Sequence, residues 1–358
     1  MIAVVLASLF CFPLLGCGST ARQGQAAAEL PKLKAPPLFM QAGAMPQYVF
    51  AVEPAVLAAA SRSVPAEMTI YSARHQELTR DLVCDLAERV GVSVLPELRA
   101  TMSERVDAEY VDLTVIGELT ADILTDQSNV TPDDKFVSLI ASYVGGITGD
   151  NLVMLNMTVM DSGNFTINLR GANPDPGGGP PTEEDARAIA EHFVAESGLL
   201  PEGCELGGVS PSAYVPGPES DQGEVQPRAI AGQVVYQRYL EGYPAGQFVL
   251  QINGKGEIYY VYRNARNATP LASYPILAPE EAIGALREGR GSLTGPMQPG
   301  VLLEATVEKI KLCYDQGAPM VRFETMQPSY WIEGSVEGYT DGFHALIPAV
   351  RPEYLEAE

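Results

Sequence analysis

The stretch GQVVYQRYLEGYPAGQFVLQINGKGEIYYVYR, residues 232–263, decides how the chain is read. It contains three runs rich in Val, Ile, Phe and Tyr. Two segments separate them, Glu241-Gly242-Tyr243-Pro244 and Asn253-Gly254-Lys255-Gly256. Gly and Asn tolerate left-handed backbone and Pro presets one dihedral, so both segments mark chain reversals. The stretch therefore predicts a three-stranded antiparallel meander. Six tyrosines fall in it: Tyr236, Tyr239, Tyr243, Tyr259, Tyr260 and Tyr262. Strand alternation sends Tyr259 to one face and Tyr260 and Tyr262 to the other, so one set can pack on a helix while the other faces out.

Working outward, three helices are predicted. The clearest runs from Thr182 to Gly198, with Ala186, Ile189, Ala190, Phe193 and Val194 on one stripe. Thr182 can cap it, and Glu183, Glu184 and Asp185 suit the positive end of its dipole. Gly198 can end it in the left-handed conformation. A second helix, 78–91, carries Leu78, Leu82, Leu86 and Val90 on one side. A third, 279–289, begins on a proline and ends at a glycine. Strands are expected at 68–73, 110–117, 151–160 and 164–170, and again at 301–315, 320–336 and 342–350. Asp161-Ser162-Gly163-Asn164 reads as a turn, and 210–227 as a loop.

A helix followed by an antiparallel meander thus recurs three times. The expected fold class is α+β, with repeated units of one helix packed on a β-meander in two domains. Residues 45–172 would form the first domain, 173–181 a Gly/Pro linker, and 182–358 a second domain holding two such units.

The N-terminus predicts location. Residues 2–15 form an apolar run, shorter than the roughly 20 residues a spanning helix needs. It fits the apolar region of a secretory leader, residues 1–16. The basic stretch that normally precedes such a run is expected upstream, because no Lys or Arg occurs before Arg22. Leu14-Leu15-Gly16-Cys17 has the form of a bacterial lipobox: a small residue before the cut and a thiol after it. Cys17 is therefore the expected lipidation site, carrying acyl chains such as palmitate. Residues 17–44 would be a flexible tether. The expected place is the extracytoplasmic face of the cell membrane, held there by lipid on Cys17.

The net charge of −22, with no dense basic patch, argues against nucleic acid as a partner. Cys84, Cys204 and Cys313 allow one disulfide at most, and their spacing resembles no zinc site. His75, His192 and His344 have no second ligand at metal spacing; His192 reads as a half-buried surface histidine. Asp161-Ser162-Gly163 occurs once, whereas an aspartic-peptidase centre needs two such carboxylates. Gly334-Ser335-Val336-Glu337-Gly338 has its serine one place early for a nucleophile elbow. No catalytic residue, cofactor or metal is expected.

Several motifs in the C-terminal half form a resemblance: the block 234–258, Pro275-Ile276-Leu277-Ala278-Pro279-Glu280-Glu281-Ala282, Lys311-Leu312-Cys313-Tyr314, Tyr330-Trp331-Ile332-Glu333-Gly334 and Ala345-Leu346-Ile347-Pro348. Over residues 183–350 the chain resembles extracytoplasmic two-component regulators of the YycH/YycI type and their PepSY-like relatives. The resemblance implies a non-catalytic regulatory protein that binds a sensor-kinase ectodomain or a peptidase. Those regulators carry an uncleaved membrane helix; here the lipid anchor would replace it. Exposed tyrosines beside arginine suit a partner surface, so Tyr236, Arg238, Tyr239, Tyr260, Tyr262 and Trp331 are the expected partner-binding residues. The alternative reading is a lipoprotein that holds a small molecule or envelope glycan between its two domains.

Overall fold

The computed structural model describes residues 30–34, 47–73, 76, 82, 85–86, 89–90, 114–116, 138–148, 151–160, 162–170, 179–219, 225–296, 301–315 and 324–356. The expectations for the leader, Cys17, His75, Cys84 and most of the linker lie outside them. In chain order the elements are β1 (Gln47–Val52), α1 (Pro54–Ser63), β2 (Glu67–Ala73), β3 (Thr114–Ile116), β4 (Ser138–Thr148), β5 (Asn151–Met160) and β6 (Phe165–Arg170). They continue with α2 (Glu183–Ser197), β7 (Cys204–Glu219), β8 (Val225–Leu240), β9 (Tyr243–Asn253), β10 (Ile258–Asn264) and β11 (Ala268–Pro275). The last are α3 (Pro279–Arg287), β12 (Ser292–Thr294), β13 (Leu302–Asp315), β14 (Thr325–Val336) and β15 (Phe343–Pro348).

The quoted stretch folds as the meander β8–β9–β10, but inside a larger sheet. The order of that eight-stranded sheet is β3-β4-β5-β6-β10-β9-β8-β7. Two four-stranded meanders meet where β6 pairs antiparallel with β10. One face carries Phe165, Ile167, Val234, Tyr236, Phe248, Leu250 and Val261. It packs under Ala186, Ala190 and Phe193 of α2 and under the helical residues Leu86 and Val90. Burying a side chain as large as Phe193 stabilises by about 2–3 kcal/mol. The capping expectations for α2 hold. Thr182 Oγ1 accepts from the Asp185 backbone N–H at 3.1 Å, and Gly198 sits at φ 60°.

The seven-stranded sheet gathers both ends of the described chain. Its main order is β1-β13-β14-β15-β12, with β2 pairing both β14 and β11. β1 lies parallel to β13. Ala60 of α1 and Ala282, Ile283 and Leu286 of α3 cover Val307, Ile310, Ile332, Ala345 and Ile347 on one face. Tyr330 is fully buried there, and its hydroxyl donates to the Leu277 carbonyl at 2.5 Å, just ahead of α3.

This overturns the expected fold class. The chain is mostly β, in two large sheets, and not a series of helix-on-meander repeats. Local periodicity finds many of the strands but not their partners, and the partners that join the parts, β6 with β10 and β1 and β2 with β13, β14 and β11, are distant in sequence. The sheets also cross the expected boundary at 173–181: β6 joins β10, and β1 and β2 join β13, β14 and β11. The expected loop 210–227 is mainly strand, because β7 and β8 pair along most of their length. Its prolines misled the reading. β7 pairs only with β8, and Pro227 lies beyond the part of β8 that β9 reaches, so neither site asks proline for a central ladder bond. The expected tether is also fixed in part. Leu33 is buried and bridges Leu355, and the Lys34 carbonyl accepts from Gln327 Nε2 at 2.7 Å.

The tip of the β8–β9 hairpin links the two sheets. Glu241 and Gly242 have φ of 51° and 83°, the two positive values a tight hairpin turn needs. Glutamate is a strained choice at such a position. Its carboxylate accepts from Thr69 Oγ1 at 2.6 Å and from the Tyr314 hydroxyl at 3.1 Å, both on the other sheet. Replacing Glu241 by Ala keeps the strain and removes both bonds. The expected outcome is a loss of about 1–2 kcal/mol in denaturant unfolding, whereas Glu353→Ala on the exposed C-terminal turn leaves stability unchanged.

Candidate functional site

The six residues expected to bind a partner separate into an interior set and two outward sets. Tyr236 and Arg238 belong to the interior and are not surface groups. Both point to the face that α2 covers, and they are 5% and 7% exposed. Tyr236 packs against Phe248, and burial pushes its phenol pKa up. Arg238 is a clamp. Its Nε donates to the Glu202 carbonyl at 3.3 Å and its Nη1 donates to the Arg266 carbonyl. Those bonds tie the chain after α2 to the connection between β10 and β11. Burial lowers the Arg238 pKa, and burial together with Arg238 lowers that of Arg263. Burial raises the Cys204 thiol while both guanidiniums pull it down. No disulfide joins Cys204 to Cys313.

The missed signal was the glutamines. In β8 and β9, Gln233, Gln237, Gln247 and Gln251 share the face opposite Val234, Tyr236, Phe248 and Leu250 by register. Four amides on one side and an apolar row on the other identify which side takes the helix. Tyr239 lies near the hairpin end and is partly exposed. Tyr260 and Tyr262 stand on the amide side, partly exposed, with ring centroids 6.3 Å apart and planes 19° from parallel.

Trp331 stands on the face of the seven-stranded sheet opposite α1 and α3. Its indole stacks on His344 with centroids 5.0 Å apart and planes 9° from parallel. His344 itself is exposed. Trp331 Nε1 donates to Glu333 Oε2 at 2.9 Å, and Lys309 Nζ lies 2.6 Å from Glu333 Oε1. One carboxylate therefore holds both the indole and an ammonium. The Lys309 and Trp331 hydrogen bonds lower the Glu333 pKa, the reverse shift appears on Lys309, and the neighbouring Lys309 lowers Lys311. An aromatic pair fixed in this way loses little freedom on binding, and the charges beside it form a polar rim.

Other groups have structural places. Ser162, Gly163 and Asn164 form the turn between β5 and β6, with the Gly163 N–H donating to the Met160 carbonyl at 3.0 Å. His192 is more exposed than expected and lies 3.4 Å from Glu196 on the outside of α2. Among the described residues no three His, Cys, Asp or Glu side chains gather as metal ligands, and no helix is long and apolar enough to cross a membrane. A cleft of about 510 Å³ lies between the end of α1 and the start of α3, lined by Val64, Pro65, Pro275, Leu277, Glu280 and Arg351 among others. It carries no aromatic ring, unlike the ligand cleft expected between two domains.

Two outcomes check these placements. Arg238→Met leaves two carbonyls without their donor and is expected to cost about 2–3 kcal/mol of stability; Trp331→Ala leaves the melting temperature nearly unchanged. Trp331 is also the single tryptophan, so its emission reports on Glu333. An acid titration of emission is expected to show a step below the ordinary Glu value of about 4.3, because the folded pKa is depressed. Glu333→Gln removes the step.

Comparison with other proteins adds no family assignment. No known protein-family model matches the chain, and no curated protein matches it.

Proposed function

We propose that the protein is held on the extracytoplasmic face of the cell membrane by lipid on Cys17 and acts there by binding another protein, without turnover. The anchor rests on Leu14-Leu15-Gly16-Cys17. The observation that carries the binding reading is the Trp331–His344 stack, fixed by Glu333 on the sheet face opposite the helices, with His344 exposed. A partly exposed tryptophan held rigidly at the centre of a charged rim has the composition of an interface hot spot. The partner would offer an apolar recess for the indole and an acidic group opposite Lys311. A sensor-kinase ectodomain or a peptidase is the partner class that the regulator resemblance implies. Binding without turnover also agrees with the place of Ser162 and Gly163, which serve as a hairpin turn.

The test is crosslinking in intact cells followed by recovery of the full chain. The native chain, Cys17→Ser and Trp331→Ala are compared at equal expression. The native chain is expected to recover one kinase or peptidase. Trp331→Ala should lower that recovery by about tenfold or more, the size of a hot-spot loss, and Cys17→Ser should lower it by misplacing the protein. Equal recovery with Trp331→Ala would remove the indole surface from the reading. Recovery of no partner by the native chain would remove the protein-binding reading itself.

A further inference from the structure

We propose a second binding site: the outward face of the eight-stranded sheet takes a linear, neutral glycan laid across the strands. It uses none of the residues around Trp331 and does not depend on the protein-binding reading.

Strand register builds the site. Asn168 on β6, Tyr260 on β10, Gln251 on β9, Gln233 on β8 and Ser210 on β7 stand opposite one another in turn. Residues opposite each other in antiparallel pairs share a face, so these five form one row. Thr166, Tyr262, Val249, Val235 and Gly208 form a second row beside it. By the same register Thr158 of β5 continues the second row. The neighbours along each strand, Ile167, Val261, Leu250 and Val234, are fully buried on the other side. Among the described residues, the helices that pack on this sheet therefore lie behind this face. Asn168, Tyr260, Gln251, Gln233, Thr166, Tyr262 and Val235 are partly exposed and Ser210 is exposed, while Val249, between Tyr262 and Val235, is buried beneath its neighbours.

The two rows share the absence of charge. None of these eleven positions carries a charged residue, in a chain with 23 Lys and Arg and 45 Asp and Glu. Amides and hydroxyls each offer donors and acceptors, which is what sugar hydroxyls require. Gln251 Nε2 donates to Gln233 Oε1 at 3.4 Å, so adjacent amides steady one another. The nearly parallel rings of Tyr260 and Tyr262 supply aromatic surface for the C–H faces of pyranose rings. Burial raises the pKa of both phenols, which keeps them as donors.

Spacing and charge select the occupant. Adjacent strands lie about 4.8 Å apart, so the row from Asn168 to Ser210 crosses five strands over about 19 Å. One strand spacing is close to the advance of one sugar in an extended chain. Charge complementarity excludes acidic polymers: the rows hold no cation, and the net charge of −22 repels polyanions. A neutral polymer meets neither penalty.

The experiment is calorimetric titration of the full chain in detergent with chitohexaose and cellohexaose, their disaccharides, and a hyaluronan hexasaccharide as the anionic control. At least one neutral hexasaccharide is expected to bind, its disaccharide at least tenfold more weakly, and hyaluronan not at all. Tyr260→Ala should weaken hexasaccharide binding about tenfold. Gln233→Ala, nearer the edge and safer for folding, should weaken it severalfold, and Trp331→Ala should leave it unchanged. Thermal melting confirms that each variant is folded. The proposal is overturned if no neutral hexasaccharide binds, if affinity ignores chain length, if hyaluronan binds as well, or if a folded Tyr260→Ala or Gln233→Ala binds as the native chain does.

Discussion

The C-terminal end of β8 is where the two sheets are held together. Arg238 reaches inward and binds the carbonyls of Glu202 and Arg266, fixing the point at which the chain leaves the eight-stranded sheet for β11. Three residues later Glu241 accepts hydroxyls from Thr69 and Tyr314 of the other sheet. Leu240, Tyr243 and Ala245 pack into the core of that same sheet. Tyr314 is edge-on to Tyr71 at 5.2 Å, and burial with the nearby Glu241 raises its pKa, so its hydroxyl stays a donor. A strained glutamate at the turn is intelligible in these terms. Asparagine or glycine would suit the backbone but would not reach both hydroxyls.

With the sheets fixed there, each keeps one face for helices and one for solvent. The division follows side-chain chemistry. β9 illustrates it: Phe248, Leu250 and Ile252 face α2, while Gln247 and Gln251 face out. β14 repeats it in the other sheet, where Tyr330 and Ile332 are buried and Trp331 and Glu333 are not. The two outward faces differ in kind. One has an aromatic stack edged by Lys309, Lys311 and Glu333, and the other has uncharged amides, hydroxyls and paired phenols. Surfaces so unlike favour different partners, which is why they are read separately.

What the sequence made legible were local signals. The stripe, cap and terminal glycine of α2 appear as read, as do the turns at Glu241-Gly242 and at Asn253 to Gly256. Pairing was not legible, since period-two alternation says that a segment is a strand and nothing about its neighbour. β4, β1, β11 and β7 were missed for separate reasons. β4 contains Gly145 and Gly146, β1 precedes a helix that carries little polar contrast, and β7 and β11 contain prolines that edge positions tolerate. For the candidate residues, alternation put Tyr260 and Tyr262 on one face, as found, whereas Tyr236 and Arg238 were read outward from their residue types and lie inside. Tyrosine and arginine look like surface residues, and it is the glutamines at odd spacing from them, Gln233 and Gln237, that mark the true outside.

The connectivity also orders assembly. Apart from β6 with β10, pairs in the eight-stranded sheet join strands adjacent in sequence, so each meander can form from local contacts and one docking step completes it. The seven-stranded sheet cannot form so early. β1 and β2 must wait for β11, β13 and β14, more than 190 residues later, and β1 then adds in parallel with no hairpin to guide it. Until that happens Phe50 and Ile70, both buried in the finished protein, remain without their partners. The β8–β9 tip is formed by then and offers Glu241 to Thr69. A hairpin that belongs to the first sheet can thus seat β2 before β14 arrives, so the strained turn that joins the sheets also gives the late strands a place to dock.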